Sequence, residues 1–192
     1  MSVAAMVPMM LPAWVPVLWR CHRALRQAGD PHVGRFIGLV VAGYCIVWSA
    51  VGLAVFPAGV ALAAIPEPLP VLGVLLMVAG LLQFTAWKSH HLACCRADSG
   101  HDPGMAASSC GAWRYGVHHG VHCACCCAGP TAVLLAAGIM DLRAMALVML
   151  AVTIERIAPG GNRVARALGV AAITAGAVLV SRALLQSYKS CA

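Results

Sequence analysis

Long apolar stretches recur along the chain and are separated by short polar segments. A helix needs about 17–25 largely apolar residues to cross the hydrocarbon core of a bilayer. Six stretches approach this requirement, and they cover residues 1–19, 36–56, 70–87, 116–140, 143–159 and 165–185. The pattern predicts an all-α fold, a polytopic bundle of about six transmembrane helices, with residues 1–192 forming a single membrane domain.

The composition agrees with a membrane location. Of the 192 residues, 61% are hydrophobic and 10% are charged, and the mean hydropathy is +0.86. Soluble domains carry about 25% charged residues. The first apolar stretch begins at Met1 with no basic segment before it, which argues against a cleaved signal peptide.

The basic residues lie mainly on one side of the predicted bundle. Because basic loops stay in the cytoplasm, their distribution predicts an external N-terminus, a cytoplasmic loop at 88–115 and a multi-pass protein of the bacterial inner membrane. The net charge of +7 is then explained by a location in the lipid bilayer, and nucleic acid is excluded as a partner. Ten basic residues follow the first, third and fifth spans, against three on the other side: Arg20, Arg23, Arg26, Arg35, Lys88, Arg96, Arg114, Arg156, Arg163 and Arg166, against Arg143, Arg182 and Lys189.

Side chains that bind metals are concentrated between positions 90 and 127. This segment contains six of the eight histidines and seven of the ten cysteines. Imidazole and thiolate are ligands of zinc, copper and iron sites, and the reducing cytoplasm favours thiols over disulfides. The concentration indicates a metal site, whereas an isolated residue such as Cys45 is explained by packing alone.

Helical periodicity places several of these residues on one face within the segment "GVHHGVHCACCCAGP", residues 116–130. At about 100° per residue, His119, Cys123 and Cys126 fall on one stripe, with His122 and Cys127 beside it. One helix rarely completes a metal shell, so a second segment must contribute ligands.

The second segment is "WKSHHLACCRA", residues 87–97, in which His91 and Cys95 are one helical turn apart, as are His90 and Cys94. Because it leaves the third span on the side where the fourth begins, we expect the two clusters to meet at the cytoplasmic ends of these spans.

Two features of the backbone suit such a meeting. Pro130 cannot donate a hydrogen bond to the carbonyl of Cys126, so the helix is loosened beside the cysteines. Gly116 and Gly120 form a pair of small residues that lets a neighbouring helix approach closely.

Glu155 is an ionisable residue within the fifth apolar stretch. An intramembrane carboxylate is a functional candidate, but the adjacent Arg156 also allows a simple salt bridge at the membrane boundary.

Three segments carry a resemblance: "MMLPAWVPVLW", "AGLLQFTAWKSHHLACCR" and "WRYGVHHGVHCACCCAG…AAGIMDLRAMALVMLAVTIERIAP". In their order, from Met9 to about Pro159, the chain resembles the bacterial family of predicted metal-binding integral membrane proteins, domain-of-unknown-function family 2182. The resemblance implies a polytopic membrane protein with a metal site and no established reaction. It also implies that Lys88, Arg96 and Glu155 match family positions.

Together, the residues and the resemblance predict a protein that binds a soft transition metal, with copper favoured over zinc because Met6, Met9 and Met10 add thioethers. Its role would be metal handling or delivery, with a membrane metalloenzyme or a metal chaperone as partner. The predicted ligands are His91, Cys94, Cys95, His119, His122, Cys123, Cys126 and Cys127.

Two other functions remain open at this point. Vicinal cysteines such as Cys126 and Cys127 form strained disulfides, which would suit a membrane thiol–disulfide oxidoreductase. A metal-transporting channel is the third possibility, although few polar residues are available to line a path. Whether the protein is an enzyme is not decided by the sequence.

Overall fold

The computed structural model describes residues 2–27, 32–66, 68–97, 108–137, 142–158 and 160–191. Within these ranges the chain forms eight α-helices and no strand, which confirms the predicted all-α fold. The helices are α1 (Ser2–Gln27), α2 (Val33–Ala63), α3 (Pro68–Leu82), α4 (Ala86–Ala97), α5 (Ser109–Cys126), α6 (Ala128–Ala137), α7 (Leu142–Ile157) and α8 (Gly161–Cys191).

The described helices provide two to four candidate membrane spans, so the six predicted spans are not confirmed. Helices α2 and α8 are each long and apolar enough to cross a membrane. The pairs α3–α4 and α5–α6 are each bent at a short break, and each pair adds one crossing if it spans as a unit. Helix α7, with 16 residues, is slightly shorter than a spanning helix requires. The helices are consistent with membrane association.

The first break lies at Gln83–Thr85. The N–H groups of Gln83, Phe84 and Thr85 each donate to the carbonyl three residues earlier, at 3.0–3.2 Å, which tightens the chain and ends α3. The Thr85 hydroxyl then accepts from the N–H of Lys88 at 3.3 Å and caps α4. The helical spacing expected within residues 87–97 is thus present in α4, and residues 98–107 lie outside the described residues.

The second break lies at Cys127, as the position of Pro130 predicts. Pro130 has no N–H to donate to the Cys126 carbonyl, and α5 ends at Cys126. Thr131, one residue later, donates to the carbonyl of Cys127 at 2.8 Å, so helical bonding resumes at once.

The chain groups into two compact units. The first comprises Met1–Leu53 and His90–Cys126, and the second comprises Ala54–Ser89 and Cys127–Ala192. Each is described separately below.

In the first unit, α2 and α5 pack backbone against backbone. A Cβ atom at Gly116 would collide with the backbone of Val40, and one at Gly43 would lie 2.8 Å from the carbonyl oxygen of Trp113. At Gly120 the neighbour is the Val47 side chain, 3.0 Å from such an atom. Gly116 meets Val40 and, one turn later, Gly120 meets Val47, so α2 and α5 run parallel. The predicted role of the glycines in close packing is confirmed.

Aromatic rings fill the rest of this unit's interior. The rings of Trp14 and Tyr44 stack with centroids 3.9 Å apart and planes 11° apart, and Trp48 lies beside Tyr44 with its centroid at 6.4 Å. All three side chains are fully buried. They form a rigid apolar wall against which α5 is seated.

In the second unit, α3 and α8 approach each other through two pairs of glycines. A Cβ atom at Gly73 would lie 2.8 Å from the carbonyl oxygen of Gly176, and one at Gly80 would lie 2.6 Å from that of Gly169. The positions rise along α3 as they fall along α8, so these helices run antiparallel. Absence of side chains at the contact is what allows this close approach.

Large apolar side chains remain exposed on several helices. Examples are Leu53 on α2, Val74 on α3 and Leu184 on α8, which are 67%, 54% and 67% exposed. An apolar surface of this kind fits contact with lipid better than contact with water.

Replacing Gly116 with alanine is expected to destabilise the protein by about 1–3 kcal/mol, because the added methyl group meets backbone atoms that cannot rotate away. Gly38→Ala is the matched control in α2, since no atom lies within 4 Å of its added Cβ. Thermal unfolding of the purified variants in detergent measures the difference. Equal midpoints for both variants would contradict the close contact of α2 with α5.

Candidate metal centre

Histidines of α4 and α5 meet in the first unit. The Nδ1 atoms of His91 and His122 are 2.8 Å apart, and the Nε2 atom of His122 is 3.1 Å from that of His118. A neutral imidazole donates through one nitrogen and accepts through the other. His122 can therefore bond to both neighbours at once, and it links the two helices.

Two more side chains extend this row along α4. The Sγ atom of Cys94 is 3.7 Å from Nε2 of His90, one turn away, and the rings of His90 and His91 have centroids 5.5 Å apart. His90 and His118 are exposed, and the other members are half-buried. We call the five residues His90, His91, Cys94, His118 and His122 the outer cluster.

A second group of residues lies on the buried face of α5. His119, Cys123 and Cys126 are each at most 1% exposed, so they share one face, as the helical periodicity predicts. We call these three residues the inner stripe. Within α5, His119 directly follows His118 of the outer cluster and Cys123 directly follows His122, so each lies about 100° further round the helix.

Aromatic side chains surround the inner stripe. The Tyr44 hydroxyl lies 3.2 Å from Sγ of Cys123. The ring of His119 lies beside those of Trp14 and Tyr115, with centroids at 6.0 and 6.3 Å. The imidazole of His119 and the thiol of Cys123 are therefore buried among aromatic rings that restrict their orientation.

The predicted ligands lie on α4, on α5 and at the break that follows α5. His91, His122 and Cys94 belong to the outer cluster, and His119, Cys123 and Cys126 form the inner stripe. Cys95 on α4 and Cys127 at the break are also buried. Among the residues that the structure describes, no three His, Cys, Asp or Glu side chains are arranged to hold a metal ion.

Two members of the outer cluster, His90 and His118, were absent from the predicted ligand set. Their membership could have been predicted from local spacing, because each lies four residues before another member, Cys94 or His122. Residues at this spacing share a helix face. The same rule that selected the inner stripe could therefore have selected them.

The second unit contains a buried ion pair that sequence reasoning also missed. The Nζ atom of Lys88 lies 2.8 Å from Oε2 of Glu155, and their side chains are 5% and 1% exposed. Glu155 thus pairs with a lysine 67 positions away in the chain. A buried charge of this kind is stable only while its partner is present.

The fold and the site define an all-α protein with candidate membrane-crossing helices and a surface row of imidazole and thiol groups. The family described as PpoB2, copper chaperone, matches residues 1–179, and the chain belongs to this family. The match supports copper as the metal and copper handling as the role. It carries a different family name from the resemblance found in the sequence. No curated protein and no solved structure matches the chain.

Removing one member of the buried ion pair is expected to cost about 3 kcal/mol of stability, because the other charge then stays buried without the opposite charge beside it. The double variant Lys88→Met, Glu155→Leu should lose less than the sum of the two single variants. Unfolding titrations in mixed detergent micelles measure all three free energies. Strictly additive losses would show that the two side chains do not interact.

Proposed function

We propose that the protein is a membrane copper chaperone that binds Cu(I) between His91 and His122 and passes the ion to a copper enzyme in the membrane. One observation carries this proposal: two imidazoles from different helices lie 2.8 Å apart, nitrogen to nitrogen, in a chain of a copper chaperone family.

The contact between the two histidines is a natural place for the ion to enter. In the hydrogen bond between Nδ1 atoms, a single proton lies between two nitrogens. A metal ion could take its place if that proton moved to the Nε2 atom of the ring that carries it. With metal–imidazole bonds of about 2.0 Å, an ion between them in a linear arrangement would place the nitrogens about 4 Å apart. The rings would then need to separate by about 1 Å, which two side chains at a half-buried surface can accommodate.

The number and type of donors favour Cu(I) over zinc. Structural zinc sites are tetrahedral, with four ligands, whereas Cu(I) is stable with as few as two. Imidazole and thiolate both suit copper. The neighbouring Cys94 and His118 can join the ion transiently, so they offer a route for ligand exchange with a partner at the exposed end of the row.

The inner stripe supplies a second set of copper ligands in this proposal. The Tyr44 hydroxyl can donate to a Cys123 thiolate and so stabilise the form that binds metal. Burial of His119 and Cys123 would slow the loss of an ion bound there. The outer cluster would then exchange copper, and the inner stripe would retain it.

In this proposal the protein lies in the bacterial inner membrane, with the end of α4 and the start of α5 on the cytoplasmic side; the basic residues support this orientation, and the helix directions agree with alternating spans. In a six-span arrangement with an external N-terminus, α2 and α5 would both run outward, and α3 and α8 would run in opposite directions. The parallel and antiparallel contacts within the two units agree with this arrangement. The basic residues lie on the same cytoplasmic side.

Copper binding tests the proposal directly. The inner stripe is first disabled by Cys123→Ser, so that only the outer cluster is measured. In this background, His91→Ala, His122→Ala should bind Cu(I) about tenfold more weakly or worse, since losing direct ligands costs at least as much as losing the groups that orient them. The measurement is competition with a coloured Cu(I) chelator, using protein purified in detergent under reducing conditions. The proposal is abandoned if the triple variant binds copper as tightly as Cys123→Ser alone.

The matched control is His22→Ala, His32→Ala, which removes the same number of histidines from other places in the first unit and should leave copper affinity unchanged. The unchanged protein, cycled between thiol reductant and oxidant with copper removed, provides a second comparison. Reversible oxidation of Cys126 and Cys127 with catalytic turnover, together with no copper affinity, would favour a thiol–disulfide oxidoreductase instead.

The proposed orientation predicts the reactivity of Cys110, which is exposed at the start of α5. A membrane-impermeant maleimide should label it in inside-out membrane vesicles and leave it unlabelled in right-side-out vesicles. Cys110→Ser identifies the signal that belongs to this thiol. Labelling only in right-side-out vesicles would place this end of α5 outside the cell.

A further inference from the structure

The second unit encloses a cavity of about 440 Å³ between α3, α6, α7 and α8. This volume lies within the range of small-molecule sites. Apart from Gln83, every lining side chain in the described part of the chain is aliphatic or proline, with Leu76, Val133, Val148, Leu168 and Leu179 as the largest. None of the lining residues belongs to the outer cluster or the inner stripe, so the inference drawn from this cavity does not depend on the proposed copper binding.

Gln83 is the polar member of the lining. Its side chain is more than nine-tenths buried, and its Oε1 atom has no hydrogen-bond partner among the residues that the structure describes. Native proteins pair nearly all such buried atoms, and an exception in an apolar surrounding needs an explanation. A rotation about the last side-chain bond exchanges Oε1 and Nε2, so the amide can present its acceptor to the cavity.

The position of Gln83 is fixed by its surroundings. It follows α3 directly, where the tightened turn ends the helix. A Cβ atom at Gly129 would lie 3.1 Å from its Nε2, and one at Gly169 would lie 3.0 Å from its Cβ. Two glycines therefore leave the space that this amide occupies, and larger residues at either position would displace it.

We propose that this cavity binds a membrane-dissolved amphiphile, an aliphatic chain that carries one hydroxyl group, and that the hydroxyl donates its hydrogen bond to Oε1 of Gln83. The aliphatic walls fit a flexible chain better than a flat ring. The Gln83 Oε1 atom can accept a hydrogen bond from a ligand, so an alcohol should bind better than an alkane of the same length. Helices α3 and α8 also expose apolar side chains such as Val74 and Val178, which places the lining helices in contact with the bilayer that supplies the ligand.

The test compares 1-dodecanol with dodecane, which has the same chain without the hydroxyl. The full protein, labelled with ¹³C at its valine methyl groups, is placed in nanodiscs made of deuterated lipid. Saturable shifts of the methyl signals of Val133 and Val148 are expected with 1-dodecanol, and dodecane should bind about tenfold more weakly, as expected for loss of one buried hydrogen bond. The exposed Val74 serves as the internal reference for non-specific lipid effects.

Two variants separate selection by the amide from simple filling of space. Gln83→Leu should reduce binding of 1-dodecanol to the level of dodecane without lowering thermal stability, because it removes a buried acceptor that has no partner. Ala151→Phe should fill the cavity and abolish binding of both probes. Equal affinity of the two probes for the unchanged protein, or no saturable shift at Val133 and Val148, would overturn the proposal.

A third probe identifies the source of the natural ligand. Farnesol presents the same hydroxyl on a branched isoprenoid chain. Tighter binding of farnesol would point to an isoprenoid alcohol, and tighter binding of 1-dodecanol would point to a straight chain derived from a fatty acid. Either result supports a hydroxyl-bearing amphiphile.

Discussion

The packing of α5 against α2 fixes the chemistry of the first unit. At Gly116 the backbones of the two helices are in contact, and no side chain can be inserted between them. If α5 turned about its axis, Tyr115 or Val117 would bring a Cβ atom to this contact, and the helices would have to separate. The rotation of α5 is therefore determined, and with it the direction of every imidazole and thiol that the helix carries.

One consequence is that neighbouring histidines have different surroundings. His119 turns inward to the rings of Trp14 and Tyr115, whereas His122 contacts His91 of α4 and His118 of its own helix. In the proposed function, a protein that carries copper must accept the ion from a donor and also protect it from water. The exposed imidazoles would suit the first task and the buried thiol and imidazole the second, and α5 contributes side chains to both groups.

The second unit depends on a different device. The glycine pairs let α3 and α8 pack tightly, and the turn at Gln83–Thr85 then brings polar residues into an apolar interior. Thr85 caps α4, and the first turn of that helix carries Lys88 to Glu155. The two charged groups, on Lys88 and Glu155, thus bond to each other in place of water. Such groups specify one arrangement of the helices, because any shift would separate a buried charge from its partner.

Local patterns in the sequence were enough to predict the helical fold, the break before Pro130, the close packing at Gly116 and the shared face of His119, Cys123 and Cys126. Each of these follows from the geometry of one helix. The partners of His122 and Glu155 could not be predicted in this way. His122 meets His91 and Glu155 meets Lys88 because separate helices are rotated and positioned by contacts elsewhere along the chain. The turn at Gln83–Thr85 was not predicted either, because the apolar run of residues 70–87 continues through it. The sequence by itself determined which residues share a helix face, and only the tertiary structure decided which faces meet, since that choice rests on contacts between residues far apart in the chain.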